Sequence, residues 1–302
     1  MRQLALALLL AAVVIVGLRW GTFAVGGSDS YCYVHQAERW ASLRLQLPEP
    51  LALEAPWPDA ALAFAPAGHV PSQTVPGAIV PICPSGLSIA MAPLLALGGP
   101  RAIFLVVPIF GALFIWSTFT AGARFGPRVG LAAAVIAACS PAFLYQLVQP
   151  MSDVPAAALW MLAVASVTGT KPRAPIVAGL ASGAAILMRP NLVPLAIPIG
   201  LFLLLRPERS WGDRLRGAAG YAAAAAPGAI AVALIQQAFT ALLCGRDTGR
   251  SPRCSRSIMS CPMRFGIFPG CHRHTPSRGR LPWPRSFCCR ARWRRSSSRC
   301  FW

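Results

Sequence analysis

Charged side chains are scarce in this chain: 12% of its 302 residues, with only nine acids among them. A soluble domain of this length needs far more polar surface. The 55% hydrophobic content and mean hydropathy of +0.55 therefore exclude an ordinary water-soluble globular fold and make membrane residence the starting assumption. No internal repeat is visible, which weighs against a transporter built from inverted halves. No small-x-small cleavage site follows the apolar run at residues 3–18, so that run reads as an uncleaved first helix behind Met1-Arg2 rather than as a secretory signal.

A net charge of +19 and ten cysteines would by themselves suggest a nucleic-acid binder or a disulfide or zinc protein. Their distribution removes that suggestion. From Cys244 onward there are fourteen of the 28 basic residues, one acid (Asp247) and seven of the cysteines. The tail thus carries thirteen of the nineteen net charges. Upstream, only Cys32, Cys83 and Cys139 remain, scattered in sequence, and imply neither a disulfide nor a metal framework. Nucleic acid is not an expected partner.

The tail has the composition of a GC-rich gene read out of frame. Moving the frame back one base turns every CGN arginine into Ala, Ser, Thr or Pro, and every Trp or Cys into Leu, Met or Val. On that shift Leu281 to Phe287 can be encoded as Leu-Ala-Leu-Ala-Ala-Leu-Leu, and Cys288, Cys289 and Trp302 become Leu. The outcome is an apolar run of about twenty residues, long enough to span a bilayer. The rival reading is a Cys/His module built on Cys254, Cys261, Cys271, His272 and His274. Their spacings fit no usual metal pattern. Residues 1–243 are expected to be a transmembrane region, and 244–302 a frameshifted, disordered basic tail.

Besides residues 3–18, apolar segments lie at about 101–119, 130–146, 154–168, 174–188, 191–205 and 217–238, giving about seven helices. The expected fold is all-α, a polytopic transmembrane helix bundle. Basic loops at Arg124 to Arg128, Lys171 to Arg173 and Arg206 to Arg216 alternate with the helices. The positive-inside rule then puts the N-terminus in the cytoplasm and makes residues 20 to about 86 a long external loop. Within that loop Tyr33, Ala37, Trp40, Ala41 and Leu45 repeat at helical spacing, as in a helix lying at the outer interface. Segment 86–98 is too short to cross and is expected to rest on or dip into that surface.

Three ionisable residues fall on the outer face. Asp29 opens the external loop; it reads as a general base or phosphate-metal ligand, or as an N-cap of the interfacial helix. Asp153 lies in Ser152-Asp153-Val154-Pro155 at the start of the fourth span, where Ser152 as cap and Asp153 in the first turn suit a helix N-terminus. Arg189, before Pro190-Asn191, is placed to pair with a phosphate or a carboxylate, or to snorkel. His35, Glu38 and Arg39 read as the solvated face of the interfacial helix.

With these residues in place, the chain resembles integral-membrane glycosyltransferases of the C superfamily, the group holding dolichyl-phosphate-mannose protein mannosyltransferases and lipid A aminoarabinose transferase. The resemblance covers roughly residues 5–240. It rests on Asp29, Pro84-Ser85-Gly86, Phe125-Gly126-Pro127-Arg128, Ser152-Asp153-Val154-Pro155 and Arg189-Pro190-Asn191. It implies transfer of a sugar from a polyprenyl-phosphate carrier to an acceptor on the outer face of a bacterial inner membrane, part of the cell envelope. Asp29 matches the catalytic carboxylate, and Asp153 and Arg189 are the candidate substrate-binding residues. A single Asp stands where better-known members carry an Asp-Glu pair, which leaves a divalent cation open as cofactor. A transporter or flippase would put polar residues at mid-membrane; an inactive truncated product is compatible with the whole pattern.

Resequencing genomic DNA across codons 236–250 from independent isolates is expected to reveal an inserted or lost base. Confirmation of the present reading would make the chain a truncated membrane protein with a non-native tail, expected to have no transferase activity.

Overall fold

The computed structural model describes residues 2–240 except 58, 59, 73, 74, 170 and 209. The tail expected at 244–302 lies outside the described residues. All seven apolar segments are helical. Helix α1 is Arg2–Arg19, and after the shorter elements that follow it come α6 (Val106–Gly122), α7 (Pro127–Ala138), α8 (Pro141–Leu147), α9 (Asp153–Val167), α10 (Ala174–Met188), α11 (Ala196–Leu204) and α12 (Trp211–Thr240).

Among the described residues, three stretches are long and apolar enough to cross a bilayer alone: Arg2–Arg19, Ala102–Phe125 and Trp211–Gln237. Segment 130–146, expected as one helix, is two. Helices α7 and α8 meet at 63° where Ser140-Pro141 interrupts the hydrogen-bond ladder. Segment 191–205 likewise begins as a 3₁₀ turn, Pro190–Leu195, before α11, because Pro190 and Pro194 remove backbone donors. The charges of α6, α7, α9, α10 and α11 are confined to their ends, as expected of helices in a low-dielectric medium.

The bundle packs in the order α6 on α9, α9 on α10, and α10 on α12. Hydrophobic collapse gives little drive between helices already surrounded by lipid, so close backbone approach matters more. Helix α10 supplies it through Gly179 and Gly183, four residues apart on one face. A Cβ at Gly183 would stand 2.8 Å from the Ala225 carbonyl oxygen of α12. Beside this seam the Tyr221 hydroxyl donates to Ser182 Oγ at 3.1 Å, a buried polar pair that fixes the register of the two helices.

The segment between α1 and α6 holds α2 (Ser28–Ser42), two short helices, α3 (Leu51–Glu54) and α4 (Ala60–Phe64), and α5 (Ser85–Gly98). It also holds a small antiparallel sheet that the all-α expectation did not include. Its strands β1 (Leu47–Pro48), β2 (His69–Pro71) and β3 (Ala78–Pro81) run in the order β1-β3-β2, with Val70 opposite Val80. Helix α2 follows the expected periodicity only in part. Tyr33 and Ala37 are buried, but Ala41 is exposed and Leu45 lies beyond the end of the helix, which Leu43 closes in the left-handed conformation. The buried face packs on α5. Ser88 Oγ donates to the Tyr33 carbonyl oxygen at 2.8 Å, and Gln36 Nε2 donates to Ser85 Oγ at 2.9 Å.

A disulfide joins Cys32 of α2 to Cys83, with Cα atoms 6.1 Å apart. Sequence spacing implied no such bond, because the two cysteines are 51 residues apart and only the return of β3 toward α5 brings them together. Closing a loop of that length restricts the unfolded chain strongly, by about 4 kcal/mol on the chain-entropy account.

Candidate functional site

Two of the three candidate ionisable residues, Asp153 and Arg189, form an ion pair beside the Ser152 hydroxyl; Asp29 stands apart from it. Helix α10 ends at Met188 because Pro190 follows Arg189, and a residue before proline is driven into the extended region; Arg189 has φ −144° and ψ 90°. The break releases the Arg189 side chain across the gap to the N-terminus of α9. There its Nη1 lies 2.7 Å from Asp153 Oδ1, and its Nε donates to Ser152 Oγ at 3.1 Å. The Arg189 and Asp153 side chains are 31% and 30% exposed. A cation past the end of α10 and an anion in the first turn of α9 each also suit the dipole of their own helix.

Ser152 is wholly buried, and its hydroxyl also hydrogen-bonds the Tyr33 hydroxyl at 2.8 Å. It occupies the N-cap position of α9, but its side chain makes no capping bond. The reading of Ser152 as a cap is therefore corrected: tertiary contacts to α2 and to Arg189 take its hydroxyl instead. Burial raises the Tyr33 pKa above its ordinary value of 10.0; the Ser152 hydrogen bond and the Arg189 charge act against it, and Asp29 and Asp153 add to it. Tyr33 is thus a neutral phenol at physiological pH, able to donate a proton in a hydrogen bond.

Asp29 lies one turn before Tyr33, exposed, in the first turn of α2. The N-cap of that helix is Gly27, with no side-chain cap bond, so the capping alternative for Asp29 is also corrected. Its carboxylate stands at the rim, close enough for its charge to act on Tyr33. Among the described residues no group of three or more His, Cys, Asp and Glu is gathered as a metal-ligand set. Asp29 is a lone carboxylate.

Gly86, within Pro84-Ser85-Gly86, explains why that element has a glycine. A Cβ there would come 2.6 Å from the Leu187 carbonyl oxygen, so only glycine lets the start of α5 rest on the α10 backbone just before Arg189. The same segment carries Cys83 and Ser85, the partners of Cys32 and Gln36. Two attachments to α2 and one to α10 therefore converge beside the Arg189 break.

Tyr33 and Ser152 are the two members that sequence reasoning passed over as a packing residue and a cap. No local signal separates those roles, since the partner of each is more than a hundred residues or a whole helix away. The solvated-face reading holds for exposed Glu38 but not for His35 and Arg39. His35 is half-buried, stacked on Tyr31 with ring centroids 5.4 Å apart, and its Nδ1 lies 2.8 Å from His69 Nε2. Arg39 Nε is buried with no hydrogen-bond partner among the described residues. His69 Nδ1 is 3.2 Å from the Ala67 carbonyl oxygen, which can only accept. His69 therefore carries its proton on Nδ1, and His35 Nδ1–H donates to His69 Nε2.

Among the described residues the chain is a bundle of apolar helices with small-residue seams, as suits an integral-membrane protein. The model of one family, the dolichyl-phosphate-mannose-protein mannosyltransferases, matches residues 88–243, just over half of the chain, and the chain belongs to that family. The matched stretch includes Ser152, Asp153 and Arg189; Asp29 and Tyr33 precede it. No curated protein and no solved structure matches the chain.

The histidine pair gives a pH prediction. Burial lowers the His35 pKa from 6.5 to about 4, with His69 and Arg39 adding to the effect, and burial lowers His69 as well. Between those values the unfolded chain binds more protons than the folded one. Stability is therefore full above pH 6.5 and is lost as pH falls toward 4. The melting temperature of the wild type should drop more steeply over that range than that of His35→Phe; parallel curves would mean that the pair carries no linked stability.

Proposed function

We propose that this protein moves a sugar from a polyprenyl-phosphate carrier to an acceptor hydroxyl on the outer face of the membrane. The observation that carries the reading is the partly exposed Arg189 guanidinium, held by Asp153 and Ser152 at the rim where Asp29 stands. In such a transfer the acceptor oxygen attacks the anomeric carbon and the C–O bond to phosphate breaks. Asp29 takes the acceptor proton, and the phosphate leaves as an anion stabilised by Arg189. Asp153 positions the guanidinium and keeps its charge from folding away into solvent. Tyr33, buried and hydrogen-bonded to Ser152, helps to fix the hydroxyl on which Arg189 rests.

The topology belongs to the same proposal: a multi-pass protein of a bacterial inner membrane, N-terminus in the cytoplasm. The Cys32–Cys83 bond supports an outer position for the loop, because structural disulfides persist in oxidising compartments. Residues 1–243 form the transferase-like region, and 244–302 are the product of a frameshift. The end of the family match at residue 243, where the composition changes, supports that division.

In membranes containing a chain whose frame is restored beyond residue 243, Asp29→Asn should lower sugar transfer from a polyprenyl-phosphate donor by roughly 10²–10⁴-fold, the usual share of a general base. Unchanged transfer by that variant would remove Asp29 from the mechanism.

A further inference from the structure

The opposite end of the bundle carries a second site with a different chemistry. A half-open cleft of about 240 Å³ lies between α6, α9 and α10. Its floor is apolar, formed mainly by Trp116, Leu162 and Val177, and its mouth carries Arg124, Lys171 and Arg173. No acid lines it. Trp116 and Val177 are each 42% exposed, so the apolar side of the cleft opens laterally, onto the surface that the bilayer covers.

The cations are drawn together rather than spread apart. Arg124 lies against Gly169: a Cβ at that glycine would stand 2.9 Å from Arg124 Nη2. Arg206 reaches the same residue from the α11 side, its Nη1 donating to the Gly169 carbonyl oxygen at 3.2 Å. Two guanidiniums thus converge on one backbone unit, with Lys171 and Arg173 beside them. Among the described residues none of the four makes an ion pair; the pairs present are Arg189 with Asp153 and Arg216 with Asp213. Like charges gathered without a counterion repel one another, and a bound anion relieves that repulsion. Charges that only set membrane orientation have no need to converge.

We infer that this cleft binds one anionic phospholipid, its phosphodiester headgroup held by Arg124, Lys171 and Arg173 and the first part of an acyl chain lying on Trp116, Leu162 and Val177. Guanidinium and ammonium groups are suited to phosphate oxygens, and basic pockets between membrane helices are the places where lipid headgroups are recognised. Ligand pockets for whole small molecules are usually roughly 300–1,000 Å³. The smaller cleft therefore takes the headgroup and proximal chain, and the rest of the lipid continues along the outer surface of the helices. A soluble anion would leave the apolar floor uncovered.

The test uses the full chain in detergent, delipidated and titrated with phosphatidylglycerol, phosphatidylcholine or inorganic phosphate while bound lipid is counted by native mass spectrometry. One phosphatidylglycerol should bind saturably. The double variant Arg124→Gln/Arg173→Gln should weaken it roughly tenfold, while Arg128→Gln, which removes a charge outside the cleft, should leave it unchanged. Equal loss in both variants would reduce the effect to diffuse attraction and overturn the site. Displacement of the lipid by millimolar inorganic phosphate would overturn the lipid assignment. A second reading needs no variant: phosphatidylglycerol with a photoreactive acyl chain should label peptides containing Leu162 or Val177 in the wild type, and labelling confined to other helices would overturn the proposal.

Discussion

Arg189 can reach α9 only because α10 stops one residue earlier, and the rest of that end of the bundle is arranged around that reach. Proline at 190 fixes the extended backbone, and the extended backbone carries the guanidinium past the end of its own helix. On arrival it takes two unlike partners, the Asp153 carboxylate and the Ser152 hydroxyl, so that both its position and its plane are set. With both charged side chains about a third exposed, the pair adds little to stability, on the order of 1 kcal/mol. Its consequence is geometric: a cation held in one place, with part of its surface still open.

The segment between α1 and α6 serves the same point. The disulfide and the Gln36–Ser85 hydrogen bond tie α2 to the start of α5, and Gly86 seats that start on the last turn of α10. Tyr33 is thereby brought onto Ser152, and Asp29, one turn before it, onto the rim. Position is thus passed from a covalent bond through a helix face to a carboxylate. The two ends of the bundle differ accordingly. At one end the charged pair is balanced and hydrogen-bonded; at the other, three cations line one cleft without a counterion among the described residues.

Most of the bundle was legible from hydropathy and charge, because a membrane demands long apolar runs and the basic loops alternate with them. Asp29, Asp153 and Arg189 were picked out because ionisable residues are so few in this chain, and the topology alone put them at one end. What sequence could not give is whatever depends on the path of the chain between α1 and α6. Cys32 and Cys83 pair because β3 runs back toward α5, and His35 meets His69 for the same reason. Ser152 looked like a cap, since a serine before Asp-Val-Pro has the right local pattern; only the approach of Tyr33 and Arg189 shows where its hydroxyl is spent. The bend between α7 and α8 was signalled by Ser140-Pro141, which continuous hydropathy across the segment concealed.

The central claim is that Arg189 binds the phosphate of a polyprenyl-phosphate donor, whereas Asp29 acts on the acceptor. Binding of a polyprenyl phosphate to the full chain, held in nanodiscs of phosphatidylglycerol so that the basic cleft is already filled, separates the two roles directly. The account predicts that Asp29→Asn binds the lipid as the wild type does and that Arg189→Gln binds it at least about tenfold more weakly, the cost of losing a charge-assisted hydrogen bond. Wild-type affinity in Arg189→Gln would contradict it.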